Sequence, residues 1–131
     1  MPRTEVPGLT LDAGALIALE RKDERMKALL ERLLSLPGAT INVPAGVVAQ
    51  VFRDGSKQAR LMRLLKHSQT RVVALEEEVA QAVGVLLGLR GARDVVDASV
   101  VLCARRYRQP IVTADPEDLR RLDAKVELHA V

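Results

Sequence analysis

Short apolar runs alternate along the chain with longer stretches in which apolar residues recur every three or four positions. The short runs predict strands, and the longer periodic stretches predict amphipathic helices. The predicted strands are Gly8 to Asp12, Thr40 to Val43, Arg71 to Leu75, Ile111 to Thr113 and Lys125 to Val131. The predicted helices are Ala13 to Leu19, Asp23 to Leu36, Pro44 to Phe52, Lys57 to Lys66, Glu76 to Leu89, Asp94 to Tyr107 and Pro116 to Leu122.

This order of elements indicates the α/β class. Helices that connect successive strands favour right-handed crossovers, and therefore a parallel sheet with helices on both faces. In open sheets of this kind, ligands bind at the carboxyl ends of the strands. Asp12 and Asp115 stand where two predicted strands end, so they are the first candidates for a functional site.

Composition limits the class of protein further. A chain of 131 residues that is 48% hydrophobic is most simply one domain over residues 1–131, with a core large enough to fold without a disulfide. The single Cys103 forms no intrachain bridge, which favours a cytoplasmic protein. Met1 to Glu5 has no apolar run behind it, so we expect no secretory signal, and no segment approaches the roughly 20 apolar residues of a membrane span.

The net charge of +3 is mildly basic, and arginine is much more frequent than lysine. Guanidinium groups pair well with phosphate oxygens, so the balance is compatible with a nucleic-acid substrate. Arginines such as Arg53 and Arg93, near the ends of the acidic segments described next, are candidates for phosphate contacts. Arginine is also common on ordinary solvated helix faces, so charge alone does not decide between these interpretations.

Four aspartates from three distant segments lie within otherwise apolar sequence: Asp12, Asp94, Asp97 and Asp115. A carboxylate beside buried surface is costly unless its charge is compensated. A divalent cation such as Mg²⁺ or Mn²⁺, which prefers carboxylate and water ligands, is the simplest compensation.

Capping of helix N-termini is the alternative explanation for three of these acids. Asp12, Asp94 and Asp115 each precede a predicted helix, and Pro116 suits the first helical position. Asp97 lies inside its helix, three residues after Asp94 and on the same face, where a second negative charge is unfavourable. Four independent caps therefore explain the pattern poorly.

The segments that carry these acids resemble a known family. Leu11-Asp12-Ala13-Gly14-Ala15-Leu16, Asp94-Val95-Val96-Asp97-Ala98 and Pro110-Ile111-Val112-Thr113-Ala114-Asp115 are similar, in order and spacing, to the three acidic motifs of PIN domains. The resemblance covers essentially the whole chain and is closest to the VapC-like ribonucleases, the toxins of type II toxin-antitoxin systems.

This resemblance implies a PIN-like three-layer α/β/α fold with a four- or five-stranded parallel sheet. It also implies a Mg²⁺-dependent endoribonuclease, frequent homodimerisation and inhibition by a small antitoxin. By position, Asp12, Asp97 and Asp115 would be the metal ligands, Asp94 a further catalytic acid, and Thr113 a small polar group beside the site.

One position departs from the family pattern. The helix after the second strand usually carries a glutamate, and Gln50 occupies that place here. An amide brings no negative charge and cannot act as a base near neutral pH. Asp54 or Asp94 could replace part of the lost charge. The alternative is a catalytically degenerate PIN-like module that binds RNA or an antitoxin without cleaving.

Overall fold

The computed structural model describes residues 7–131. Its strands are β1 (Gly8–Leu11), β2 (Thr40–Pro44), β3 (Thr70–Val73), β4 (Ile111–Thr113) and β5 (Leu128–Ala130). Its helices are α1 (Ala13–Glu20), α2 (Glu24–Leu34), α3 (Ala45–Val51), α4 (Ala59–Lys66), α5 (Glu77–Arg90), α6 (Val95–Tyr107) and α7 (Pro116–Leu122). Met1 to Glu5, where we expect no secretory signal, lies outside the described residues.

The five strands form one parallel sheet in the order β3-β2-β1-β4-β5. This confirms the predicted α/β class and parallel sheet, with five strands. All side chains of β4, and those of β1 from Leu9 onward, are buried. Because successive strand residues point to opposite faces, both faces of the central sheet must be covered. Helix α1 packs with α2, α3 and α4, and α6 packs with α5 and α7.

Element boundaries differ from the sequence prediction where a side chain or a neighbouring strand sets the limit. Helix α4 begins at Ala59, two residues later than predicted. The reason is that Gln58 is engaged in the preceding loop, where its Oε1 accepts hydrogen bonds from Arg53 N and Asp54 N at 2.7 and 3.0 Å. Strand β5 has three residues because its partner β4 offers only three.

Strand β3 also lies earlier than predicted, at Thr70–Val73 in place of Arg71 to Leu75. Its pairing with β2 ends at the contact between Pro44 and Val73. Beyond that point no further residue of β2 is available, so Leu75 is left 44% exposed. Strand β3 forms one edge of the sheet.

A buried polar network lies at the amino ends of the strands. The Oε1 atom of Gln109 accepts hydrogen bonds from Thr10 Oγ1 at 2.8 Å and from Asn42 Nδ2 at 2.9 Å. Gln109 Nε2 donates to Thr40 Oγ1 at 3.1 Å. These neutral bonds tie the start of β4 to β1 and β2, and they leave the acidic residues at the opposite edge. Among residues 7–131, no helix is both long and apolar enough for a membrane span.

Candidate functional site

Two of the four predicted acids cap helices that begin at the carboxyl edge of the sheet. Asp12 follows β1, and its Oδ1 accepts a hydrogen bond from Ala15 N at 3.0 Å. Asp94 precedes α6, and its Oδ1 accepts from Asp97 N at 2.9 Å. The capping interpretation is therefore correct for both, although a carboxylate has further lone pairs available for a second partner.

Asp115 is different, although it precedes α7 with Pro116 at the first helical position. Within the described chain its side chain makes no capping hydrogen bond, and the residue is exposed. Its backbone N–H instead donates to Thr113 Oγ1 at 2.9 Å. Capping of α7 therefore does not explain the Asp115 carboxylate.

Asp97 lies at the centre of the acidic residues. Burial raises its pKa to about 6, and the negative charges of Asp94, Asp118, Asp12 and Asp115 add to the increase. Asp97 occupies the third position of α6, where an acid can reach back to the N–H of the capping residue. No such bond is formed among the described residues, so helix capping does not explain this carboxylate.

Asp12 is the most buried acid of the group, at 8% exposure. Burial is the largest influence on its pKa, which is raised. Hydrogen bonds from the Thr113 hydroxyl and from the N–H groups of Ala15 and Gly14 oppose the increase, and the charge of Asp115 adds to it. Thr113 therefore donates to Asp12 and accepts from the backbone of Asp115, so one hydroxyl connects the ends of β1 and β4.

Asp118 is an additional member of the group that the sequence interpretation left out. A hydrogen bond with Asp115 and the charge of that residue raise the pKa of Asp118. Its position in the first turn of α7 suggested a role in the helix dipole, which is sufficient by itself to explain an acid there. The spacing of three residues from Asp115 is the signal that places both carboxylates on one side of α7.

Gln50 and Asp54 make no hydrogen bond with these acids among the described residues. Gln50 is exposed near the end of α3, and within residues 7–131 it makes no hydrogen bond to any of the five aspartates. Asp54 Oδ1 accepts hydrogen bonds from the Ser56 backbone at 3.0 Å and the Ser56 hydroxyl at 2.7 Å, which lower the pKa of Asp54. One oxygen of the Asp54 carboxylate is thus engaged in a local turn.

The candidate phosphate-binding arginines also differ from one another. Arg53 Nη1 donates to the carbonyl oxygens of Ala49 and Phe52 at 3.1 and 2.8 Å, and so caps the end of α3. Arg93 is exposed immediately before Asp94. Of the two, Arg93 is the better candidate for a phosphate contact, because it is exposed next to Asp94 while Arg53 is bound to α3.

The five carboxylates suit a hard divalent cation in chemistry but are not assembled around one point. Within residues 7–131, no three Asp, Glu, His or Cys side chains are arranged to hold a metal ion. Burial raises the pKa of Asp97, and repulsion by the other four carboxylates raises it further. All five side chains offer carboxylate oxygens, which are ligands that Mg²⁺ and Mn²⁺ prefer.

An apolar groove of about 470 Å³ lies beside this acidic group, between the end of β3 and helices α5 and α6. Val95 and Val96, which alternate with the acids at the start of α6, form part of its wall. Glu78 of α5 and Arg106 of α6 are the charged residues that line it.

Comparisons with known proteins agree with this fold. The family model described as PIN domain matches residues 9–125. The structure of VapBC2 from Rickettsia felis, bound to a DNA fragment from their promoter, is similar at 17% identity and a TM-score of 0.69, over 95% of this chain and 98% of that chain.

Two further solved structures are similar. FitAcB from Neisseria gonorrhoeae matches at 19% identity and a TM-score of 0.59, over 92% of this chain and 95% of that chain. FitAB bound to a DNA fragment matches at 18% identity and a TM-score of 0.63, over 93% and 94% of the two chains. A search of curated protein sequences found no match. At these identities the solved structures establish the fold, while the family model covers most of the sequence, and the chain therefore belongs to the PIN domain family.

Proposed function

We propose that this PIN domain is a metal-dependent endoribonuclease and the toxin component of a toxin-antitoxin pair. The observation that carries the proposal is Asp97, a half-buried carboxylate with a pKa of about 6 and four other aspartates around it. A fold gains nothing from such a concentration of like charge, and perturbed acids of this kind are typical of functional sites.

In this proposal Asp12, Asp97 and Asp115 hold one Mg²⁺ or Mn²⁺ ion, and Asp94 and Asp118 add negative charge nearby. When bound, such an ion supplies a Lewis acid for hydrolysis of a phosphodiester bond. Thr113 keeps the Asp12 carboxylate oriented by donating a hydrogen bond to it. Burial of Asp12 limits its movement, whereas the exposed Asp115 can adjust its side chain to a ligand.

RNA is the proposed substrate because the resemblance to VapC-like ribonucleases and the positive net charge both favour it. A single-stranded or looped RNA presents a backbone that a surface cleft can reach. With one Tyr and one Phe in the whole chain, stacking on bases contributes little affinity. Binding therefore depends on phosphate contacts, for which Arg93 is the candidate next to the acids.

A small antitoxin protein is the proposed partner, and the cytoplasm the proposed site of action. The similarity to VapBC2 and FitAB supports this partner. It also agrees with the VapC-like motifs of the sequence.

We further propose that the protein forms a homodimer through the groove between β3, α5 and α6. Leu75 and Val95, which line it, are 44% and 47% exposed. In a two-fold interface, a residue that contacts a second residue of the other copy is matched by the same contact in reverse. An acid and a base in the same groove can therefore pair twice across the interface. Glu78 would then pair with Arg106 of the second copy.

A catalytically degenerate module is the second candidate, and Gln50 is the observation that favours it. The exposed amide makes no hydrogen bond to the acids within the described chain. The glutamate that the family pattern has at this place is absent, and Gln50 brings no negative charge in its stead.

Calorimetric titration with Mn²⁺, together with a cleavage assay on a long unstructured RNA, tests the proposal. We expect the wild type to bind Mn²⁺ and to cleave, and Asp97→Asn to lose both because it removes a ligand charge. Asp23→Asn, which alters a helix cap whose Oδ1 accepts from Met26 N at 2.9 Å, is the matched control. Absence of Mn²⁺ binding in the wild type would contradict the metal site.

The variant Gln50→Glu separates an active enzyme from a degenerate one. If the wild type binds Mn²⁺ but cleaves only after Gln50→Glu, the domain is degenerate through this position. If both proteins cleave at the same rate with the same Mn²⁺ affinity, Gln50 does not belong to the site.

A further inference from the structure

The first turn of α1 and the loop between β4 and α7 approach each other unusually closely. Gly14 is the second residue of α1, and Ala114 stands between Thr113 and Asp115. A Cβ atom placed on Gly14 would lie 2.6 Å from Ala114 Cβ, 2.9 Å from Ala114 N and 3.3 Å from Ala114 Cα. Two of these atoms belong to the backbone, which cannot turn aside as the end of a long side chain can.

This contact lies between two of the proposed metal ligands. Asp12 precedes Gly14 by two residues, and Asp115 follows Ala114 directly. The Asp12 backbone N–H also donates to Val112 O at 3.2 Å. Because these short segments are hydrogen-bonded to each other, a displacement of Ala114 away from α1 would change the separation of Asp12 and Asp115.

The surroundings of other glycines show that this arrangement is particular to Gly14. A Cβ on Gly46 would meet Val96 Cγ2 at 3.2 Å, a methyl group that a rotation of the side chain can move. Gly84 and Gly88 of α5 have nothing within 4 Å of such an atom. A Cβ on Gly8 would also meet backbone, Thr40 O at 2.9 Å, but Gly8 stands at the amino end of β1. Among the glycines of the described residues, Gly14 is the one that combines a close backbone approach with two flanking acids.

We propose that Gly14 is a positioning residue of the acidic site. By leaving the space beside Ala114 free, it fixes how near the end of β4 lies to the end of β1. It thereby sets the distance over which Asp12 and Asp115 can share one cation. This inference rests on the proposed metal site and adds the residue that determines its spacing.

The test is Mn²⁺ affinity of Gly14→Ala, measured by calorimetry at a temperature where circular dichroism shows all proteins to be folded. We expect affinity to fall about tenfold, at the lower end of what loss of a supporting residue does at metal sites. Gly88→Ala, a helical glycine in open space, should bind Mn²⁺ as the wild type does. A Gly14→Ala protein that melts earlier but binds with unchanged affinity would show a purely structural role and overturn the proposal.

A second substitution keeps the test decisive if Gly14→Ala does not fold. The double variant Gly14→Ala, Ala114→Gly removes the Cβ of residue 114 but retains the approach to its backbone N. We expect its Mn²⁺ affinity to lie between those of Gly14→Ala and Ala114→Gly. If Gly14→Ala does not fold, we expect the double variant to bind Mn²⁺ more weakly than Ala114→Gly. Equal affinity of the double variant and Ala114→Gly overturns the proposal.

The two proposals fail in different ways. If the wild type itself binds no Mn²⁺, the proposed metal site is wrong and the role of Gly14 falls with it. If the wild type binds Mn²⁺ and Asp97→Asn does not, while Gly14→Ala binds normally, only the inference about Gly14 is wrong.

Discussion

At the scale of single residues, Asp97 shows how position outweighs intrinsic preference. An acid in the first turn of a helix is normally favoured by the helix dipole, which lowers its pKa. For Asp97 burial and four neighbouring carboxylates prevail, and the pKa rises to about 6. The helix and the nearness of Asp94 were predictable from periodicity. The other three neighbours, Asp12, Asp115 and Asp118, stand after β1, after β4 and in α7, so no local pattern reports their distance from Asp97.

This electrostatic environment predicts how stability depends on pH without metal. The folded-state pKa of about 6 lies above the ordinary value of 3.8, so the native state binds the proton more tightly than the unfolded chain. The stability that protonation of Asp97 contributes is fully present below pH 3.8, and it is lost as the pH rises through about 6. We expect Asp97→Asn to stabilise the apoprotein at neutral pH by about 1 to 2 kcal/mol, allowing for solvent screening of a half-exposed group.

Chemical denaturation at several pH values between these limits measures the effect. The difference in unfolding free energy between wild type and Asp97→Asn cancels the contributions of other titrating groups. It should grow as the pH rises. Parallel curves for the two proteins would mean that Asp97 is not perturbed by its neighbours.

At the scale of elements, the glycines of α5 separate two backbone requirements. Gly91 ends the helix in the left-handed conformation, with φ of 62°, where a side chain costs about 1 to 2 kcal/mol. Gly88 lies inside the helix, where alanine is favoured over glycine by about 1 kcal/mol. Neither position has an atom within 4 Å of an added Cβ, so packing does not distinguish them.

The pair Gly91→Ala and Gly88→Ala should therefore shift stability in opposite directions. We expect Gly91→Ala to lower the free energy of unfolding by about 1 kcal/mol and Gly88→Ala to raise it by a similar amount. Urea denaturation of both variants measures this. A stabilising Gly91→Ala would show that α5 does not end in the left-handed conformation.

At the scale of the whole molecule, the apolar groove between β3, α5 and α6 is a surface that residues 7–131 leave incompletely covered. Its volume of about 470 Å³ and the exposed apolar side chains around it favour burial against another chain. Within residues 7–131, neither Glu78 nor Arg106 has an oppositely charged group within 4 Å. Arg106 lies over the ring of Tyr107, 5.2 Å from its centroid.

The proposed homodimer predicts the result of a charge exchange. Glu78→Arg and Arg106→Glu alone should each weaken dimerisation by about 5- to 30-fold, since each places like charges opposite one another. The double variant should recover most of the affinity. Sedimentation velocity measures the equilibrium, with Glu31→Arg on the exposed side of α2 as control. Dimers unaffected by either single exchange would place the interface elsewhere.

The sequence by itself determined the order of strands and helices, the parallel sheet and the position of two acids, Asp12 and Asp115, at strand ends. These features follow from periodicity and from the geometry of crossovers, which are properties of neighbouring residues. The glutamine at position 50 and the acidic motifs were equally visible, because motif order is a linear property.

Only the tertiary structure decided which side chains meet. It brought Asp118 to Asp115 and Asp97, and it bound Asp54 to Ser56. It also revealed the approach of Gly14 to Ala114, which joins segments one hundred positions apart in the sequence. Such contacts depend on how helices and strand ends pack together. Hydrophobic periodicity specifies which face of an element is buried, but it does not specify which distant atoms that face will contact.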